Sequence, residues 1–312
     1  MPTHPYKTSD YGGTFRSAFA LHRSRIAPVT WMKRPIAGAD AFDFTGPYPC
    51  VAVADYRALA DDVEALRGVG GVSVVFVTNA FDETAVARDL GGLTACKPFK
   101  AHNLVQFHKP WRKHLSAHHL RELRLARKGP LVTRISTTTV EYAATFWPLY
   151  QVLVARHGIT GIQALSRDIV AAQCVLPGVV AVEVLDGNEV IASSLWVHDE
   201  REAHIHLHAQ TEKAYALGAS YLLYEAALDH FSNCVDQVDL GGGAGLSDDP
   251  EDGLSRFKRG WSNATARTYL CGEILDPDRY RFLSETHGTT TSAFFPRYRA
   301  SELLAISSAA PR

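Results

Sequence analysis

The stretch Val238-Asp239-Leu240-Gly241-Gly242-Gly243-Ala244-Gly245-Leu246-Ser247-Asp248-Asp249-Pro250-Glu251-Asp252-Gly253-Leu254-Ser255-Arg256-Phe257-Lys258-Arg259-Gly260-Trp261 decides how this chain is read. Gln237–Leu240 has the apolar spacing of a short buried strand. Five residues of glycine and alanine follow it, then an acidic loop with Asp248, Asp249, Glu251 and Asp252, then a compact basic-aromatic motif, Phe257-Lys258-Arg259-Gly260-Trp261. Glycines after a strand let a ligand approach the backbone closely and expose N–H donors. A cation held beside aromatic anchors suits negative charge that develops during a reaction. The stretch is not a dinucleotide fingerprint, because Leu246 stands where the third glycine of G-x-G-x-x-G belongs, and no G-K-S/T follows to make a P-loop.

Working outward, Gly218 to Phe231 reads as a helix with Tyr221, Tyr224, Leu228 and Phe231 on one stripe. Val179–Leu185 and Val190–Val197 read as strands joined by the turn Asp186-Gly187-Asn188, with Ala203–Ala209 a third strand. Val132–Ile135 is a strand, Val140–His157 a helix bent at Pro148, and Ala266–Cys271 a last strand. The N-terminal part has the same grammar in weaker form: Cys50–Ala54 and Val72–Thr78 as strands, Asp55–Arg67 and Asn79–Leu90 as helices, and Leu104–Phe107 as a strand. Residues 1–35 read as loosely structured, with a short helix expected at Arg16–Ile26.

The stretch 238–261 resembles the FemABX-like branch of the GNAT acyltransferase superfamily. The matching parts are Asp239-Leu240-Gly241-Gly242-Gly243, Phe257-Lys258-Arg259-Gly260-Trp261, the helix start Gly218 to Glu225, the basic helix Arg121 to Gly129, and Leu149-Tyr150 with Arg156-His157-Gly158. The resemblance covers roughly residues 115–275. It implies an α/β fold of tandem GNAT-like domains with mixed β-sheets, the first copy degenerate. The expected domains are residues 1–112 and a catalytic 113–275, with the tail 276–312 packed on the first.

The resemblance also implies an acyltransferase, and it puts Lys258 at the donor's acyl group. A fixed ammonium there would stabilise the oxyanion formed when an amine attacks an ester or thioester; the plain alternative is a surface lysine between Arg256 and Arg259. Phe257 seats that lysine or touches the donor. Gly241, Gly242 and Gly243 cradle the donor's polar end or simply make a tight turn. Acyl-CoA users of the superfamily carry Q/R-x-x-G-x-G/A before a phosphate-binding helix. Here the segment is Tyr215-Ala216-Leu217-Gly218-Ala219-Ser220, without the leading Gln or Arg and with Ser at the last position, although the Gly218 helix start could still bind a donor phosphate. The preferred donor is therefore aminoacyl-tRNA, with acyl-CoA the alternative; no bound cofactor is expected. The acceptor is an amine on a small molecule or a peptide.

Lys109–Lys128 is the most basic segment, with seven Lys or Arg against one Glu. Ser116 can cap its helix, with Leu120, Leu123 and Ala126 inward and Arg121, Arg124 and Lys128 on a solvent stripe. That stripe meets RNA phosphates or is an ordinary solvated face. Arg156 matches an acceptor-binding arginine of the family, or caps its helix dipole; Tyr150, a turn and a half earlier on the same helix, could share that acceptor pocket. His204, His206 and His208 alternate along one strand face. They span about 13 Å, too far for three ligands on one ion, so no metal is expected. His206 or His208 could serve as a base in an acceptor cleft, or all three are sheet histidines.

Composition narrows the rest. A net charge of −1 on 312 residues gives no global field to recruit nucleic acid. The five cysteines, with no C-x-x-C, read as reduced thiols. There is no apolar leader at the start and no run long enough to span a membrane, so a cytoplasmic location is expected. A non-catalytic peptide- or RNA-binding module is the competing reading. A hydrolase is disfavoured, because no nucleophile elbow is present.

Overall fold

The computed structural model describes residues 3–246, 248–300 and 302. In chain order the elements are α1 (Ser9–Gly13), β1 (Ala20–Arg23), β2 (Thr30–Pro35), β3 (Phe42–Thr45), α2 (Tyr56–Ala65), β4 (Ser73–Val77), α3 (Glu83–Asp89), β5 (Ala95–Gln106), α4 (Ala117–Ala126), β6 (Val132–Thr137) and α5 (Tyr142–His157). They continue with α6 (Arg167–Cys174), β7 (Val179–Asp186), β8 (Glu189–His198), β9 (Glu202–Gln210), α7 (Glu212–Ala216), α8 (Ala219–Phe231), β10 (Gln237–Asp239), α9 (Gly253–Arg259), β11 (Ala264–Ile274) and α10 (Pro277–Thr286).

The described residues fall into two units. One, called here the C-unit, comprises Met1–Pro5, Lys100–Ile159 and Ala164–Arg267; the other, the N-unit, comprises Tyr6–Phe99, Thr160–Gln163 and Thr268–Arg312. In the C-unit, β6 to β9 form an antiparallel meander, β9 pairs parallel with β10, and β10 pairs antiparallel with β5. Helix α8 makes the crossover that a parallel pair requires, and its Leu223, Ala227, Leu228 and Phe231 bury against Val182, Trp196 and Val238. The Gly187–Asn188 hairpin turn lies between the paired Asp186 and Glu189, with Gly187 at φ 59.

The N-unit uses the same order: β1, β2 and β3 antiparallel, β3 parallel with β4 through α2, and β4 antiparallel with β11. Tyr56, Leu59 and Val63 of α2 bury against Trp31, Phe44 and Phe76. In each unit, then, a mixed sheet is built on a helix-bridged parallel pair, and the chain is α/β with two such copies. The first copy is the reduced one: β1 and β3 have four residues each, against eight, ten and nine in β7, β8 and β9. The sequence placed the boundary near residue 113; the chain changes unit at Phe99–Lys100, inside β5, and again at Arg267–Thr268, inside β11. In the tail, Tyr298 and Arg299 hydrogen-bond the buried Asp43 of β3.

Several local expectations are corrected. Arg16–Ile26 is a short 3-10 turn followed by β1, because Ala20–Arg23 pairs with β2 and that ladder overrides helical spacing. Residues 1–35 therefore contain two strands. Cys50–Ala54 makes only the single bridge Val51 to Thr78; Pro47 and Pro49, which lack a ladder donor, precede it. Leu123 and Ala126 of α4 are buried, but Leu120 is 38% exposed.

Candidate active site

Strand β10 carries Asp239 into the C-unit's core between β5 and β9, opposite Leu104 and His204. Asp239 is 3% exposed. Its Oδ1 accepts the N–H of Gly241 at 2.6 Å, and its Oδ2 lies 2.8 Å from Nδ1 of His102 on β5. Burial works to raise the Asp239 carboxyl, but electrostatic attraction and a hydrogen bond from His102, the nearby His204 and the Gly241 N–H prevail and hold it at about 2. After Leu240 the chain turns at Gly241, whose φ of 78 suits glycine. A Cβ on Gly241 would lie 3.0 Å from Nζ of Lys258.

Asp252 caps α9 by accepting the N–H groups of Leu254 and Ser255 at 2.8 and 3.1 Å. The helix directs Lys258 inward, where it is 9% exposed. Its Nζ donates to the carbonyl of Gly242 at 2.7 Å. That is its one hydrogen bond among the described residues, so two of its three N–H donors remain unused. Burial pushes the Lys258 amine down to about 8, against the opposing pull of Asp239 and with the help of Lys100. Lys100 reaches the same loop from β5 and donates to the carbonyls of Gly243, at 2.8 Å, and Gly245; burial lowers its pKa as well. Phe257 packs its ring against Tyr224 at 4.9 Å and against Tyr221 and His119 at 5.3 Å, and its carbonyl accepts from His119 Nε2 at 2.8 Å. With the fully buried Trp261, this aromatic cluster fixes the last turn of α9, so Phe257 seats the lysine.

The structure thus brings Gly241, Gly242, Gly243, Phe257 and Lys258 together and adds three residues absent from the sequence reading: Asp239 as a charged group, His102 and Lys100. A His and a Lys two residues apart on a strand carry no motif, and only the β5–β10 pairing makes them neighbours of the glycine loop. His206 is buried and bonded to Gln173 Oε1 at 2.9 Å, and burial and His204 push it down to about 3. His208, at 3.3 Å from Ser220 Oγ, is pushed to about 4 by burial and by Lys258. Both are weak bases. Tyr150 is 1% exposed and its hydroxyl accepts from Leu165 N at 3.1 Å, whereas Arg156 is at the surface, paired with Glu212 and stacked 4.1 Å over Tyr215, so the two share no pocket. Gly218 opens α8 at φ 66 with no side-chain cap.

On the basic segment, Arg121 pairs with Glu122, Arg127 with Glu225, and Arg112 with Glu225 and Asp229. Arg124 and Lys128 are exposed and make no ion pair among the described residues. His4, Glu202 and His204 are the one described set whose donor atoms, all within 4.8 Å, approach a metal's reach. The 3.0 Å between His4 Nε2 and His204 Nδ1 is a hydrogen bond, and the set reads as a buried polar network. A cleft of about 700 Å³ in the N-unit, lined by Lys97, Tyr280, Arg281 and Phe294, contains none of the candidate site residues.

No protein-family model and no curated protein matches this sequence. Solved structures do. A crystal structure of FemX superposes with a TM-score of 0.60 at 12% identity, over 90% of this chain and 95% of that one. The C-terminal domain of a protein assigned as a lysylphosphatidylglycerol synthetase from Agrobacterium fabrum gives 0.57 at 15%, over 86% and 88%. L-PGS from Bacillus licheniformis gives 0.53 at 12%, over 88% and 94%. The chain has the fold these proteins share. No described helix is long and apolar enough to cross a membrane.

Proposed function

We propose that this protein is an N-acyltransferase that moves an acyl group, preferentially an aminoacyl group from aminoacyl-tRNA, to an amine on a small molecule or peptide. One observation carries the reading: Lys258 is a buried ammonium whose one hydrogen bond among the described residues goes to a carbonyl of the glycine loop, where Gly241 leaves no side chain against its Nζ. A desolvated, pre-positioned donor of this kind is worth far more to a developing oxyanion than it would be in water. Asp239, ionised nearby, keeps the site's charge balanced while Lys258 remains protonated near neutrality. The fold likeness to FemX and to a lysylphosphatidylglycerol synthetase domain supports acyl transfer, since the second name describes an aminoacyl group joined to a carrier. The exposed Arg124 and Lys128 supply the phosphate contacts that a tRNA donor needs.

The uncapped start of α8 at Gly218 favours a second reading, with acyl-CoA as donor and its phosphates at those amides. Incubation with a labelled, charged tRNA pool and separately with labelled acetyl-CoA, each with a cell extract of small amines, separates the two. Label appearing as amide from the tRNA pool alone supports the first reading. Label from acetyl-CoA alone replaces it with the second. Label from neither, with a folded protein, rejects acyl transfer in favour of a binding module.

A further inference from the structure

The mechanism above provides for the oxyanion but not for the proton that an attacking amine must lose. We infer that His102 is the general base for the acceptor amine and that the buried carboxylate of Asp239 is its positioning residue. This inference rests on the acyl-transfer reading. Asp239 Oδ2 meets His102 Nδ1 at 2.8 Å, so an ionised carboxylate fixes the proton on Nδ1 and leaves the Nε2 lone pair as the acceptor. The His102 side chain is 20% exposed while that of Asp239 is 4% exposed, so the imidazole has solvent access and its partner does not. Nε2 of His102 makes no hydrogen bond among the described residues.

The placement relative to Lys258 follows from Gly242. Its carbonyl takes the Lys258 ammonium at 2.7 Å, and a Cβ built on it would lie 3.2 Å from Cδ2 of His102, the ring carbon bonded to Nε2. Base and oxyanion donor thus border one glycine, and a side chain there would push into the imidazole. Asp239 also accepts the Gly241 N–H, so the same carboxylate sets both the imidazole and the turn.

In the step, the amine nitrogen forms a bond to the ester carbonyl carbon. The carbonyl π pair moves onto oxygen, facing Lys258, and His102 Nε2 takes one proton from the nitrogen. When the carbonyl reforms, the C–O ester bond breaks, its electron pair leaves on the alcohol oxygen, and that oxygen receives the proton from His102. The products are an amide and an alcohol, and His102 is neutral again.

The charged and titratable groups around the dyad are Asp239 on β10, bonded to His102; His204 on β9, 4.0 Å from Asp239; Lys100 and Lys258, both bonded to the glycine loop; and Asp248, which accepts the N–H of the neighbouring Ala101. The direct test is long-range ¹⁵N NMR of the imidazoles, with His102 assigned by His102→Asn. The expected neutral form has a protonated Nδ1 and a bare Nε2, a preference lost in Asp239→Asn. A proton on Nε2 in the wild type, or a tautomer unmoved by Asp239→Asn, overturns the inference. In transfer assays with the charged tRNA pool or acetyl-CoA, His102→Asn should lower kcat by roughly 100-fold with little change in KM and remove the acidic limb of the pH–rate profile. Unchanged kcat with a folded variant overturns it too. If the wild type transfers nothing from either donor, the acyl-transfer reading fails, and with it the catalytic role; the NMR result then still decides whether the dyad exists.

Discussion

Two basic regions of the C-unit differ in a way that charge counting inverts. Helix α4 and its flanks hold the densest run of Lys and Arg in the chain, yet Arg112, Arg121 and Arg127 are spent on Glu225, Asp229 and Glu122. The glycine loop draws two lysines, Lys100 and Lys258, and both are buried with Nζ on backbone carbonyls. An exposed paired arginine is screened and worth little. A buried ammonium that keeps free donors is costly to maintain and strong when an anion arrives. Function is therefore expected where the charges are fewer.

The largest effect that would sharpen this contrast is at Lys258. Lys258→Met should reduce transfer roughly 100- to 1000-fold, the range seen when an oxyanion donor is removed. Its thermal midpoint at pH 7 should equal or exceed the wild type's, because a buried charge has gone; a clear drop in midpoint would make Lys258 structural. The pH dependence has a definite sign. With the Lys258 amine at about 8 in the folded protein and near 10.5 unfolded, the unfolded chain binds more protons between those values. Stability from this group therefore rises as pH climbs from about 8 to about 10.5 and is lost at lower pH. The difference in midpoint between Lys258→Met and wild type should shrink across that window. Chemical denaturation at several pH values checks it, and a constant difference would contradict the burial account.

Next in size is Gly241→Ala. Forcing alanine to φ 78 should cost about 1–2 kcal/mol in denaturation, and the new methyl group, 3.0 Å from Lys258 Nζ, should also depress transfer. Gly245→Ala is the control: its φ is 64, yet a Cβ there meets nothing within 4 Å, so it should carry the backbone cost without the loss in rate. The smallest effect is on α4 and just beyond it. Arg124→Ala with Lys128→Ala should lower the slope of log affinity for tRNA against log salt by about 0.7–0.9 per charge removed. Arg127→Ala, already paired with Glu225, should change it less. Equal effects would mean that the ion pairs dissolve on binding.

How much of this was legible follows from where each signal resides. The meander β7 to β9, helix α8 and the turn at Gly187 were readable because local periodicity and turn chemistry suffice for them. The two-copy architecture was readable only through the resemblance, and the reason is topological. Strand β5, which follows the N-unit's β4 in sequence, pairs with the C-unit's β10, while β11 returns to pair with β4. Each copy thus closes with the strand that follows the other copy's parallel pair, and with β1 and β3 at four residues no sequence repeat survives. Lys258 and the glycines were readable because they share one stretch. His102 and Lys100 were not, since their relation to Asp239 and to the loop exists only in the pairing of strands 131 or more residues apart in sequence. Helix α9 was read as loop and motif because its seven residues are too few to show a period.

The account's central claim is that the glycine loop and Lys258 transfer an acyl group to an amine. The measurement that tests it most directly is amide formation from a ¹⁴C-aminoacyl-tRNA pool and an extract of cellular amines, run side by side with wild type and Lys258→Met. The account predicts hydroxylamine-stable label in a small-molecule or peptide product with the wild type and almost none with the variant. Equal label with both proteins would contradict it.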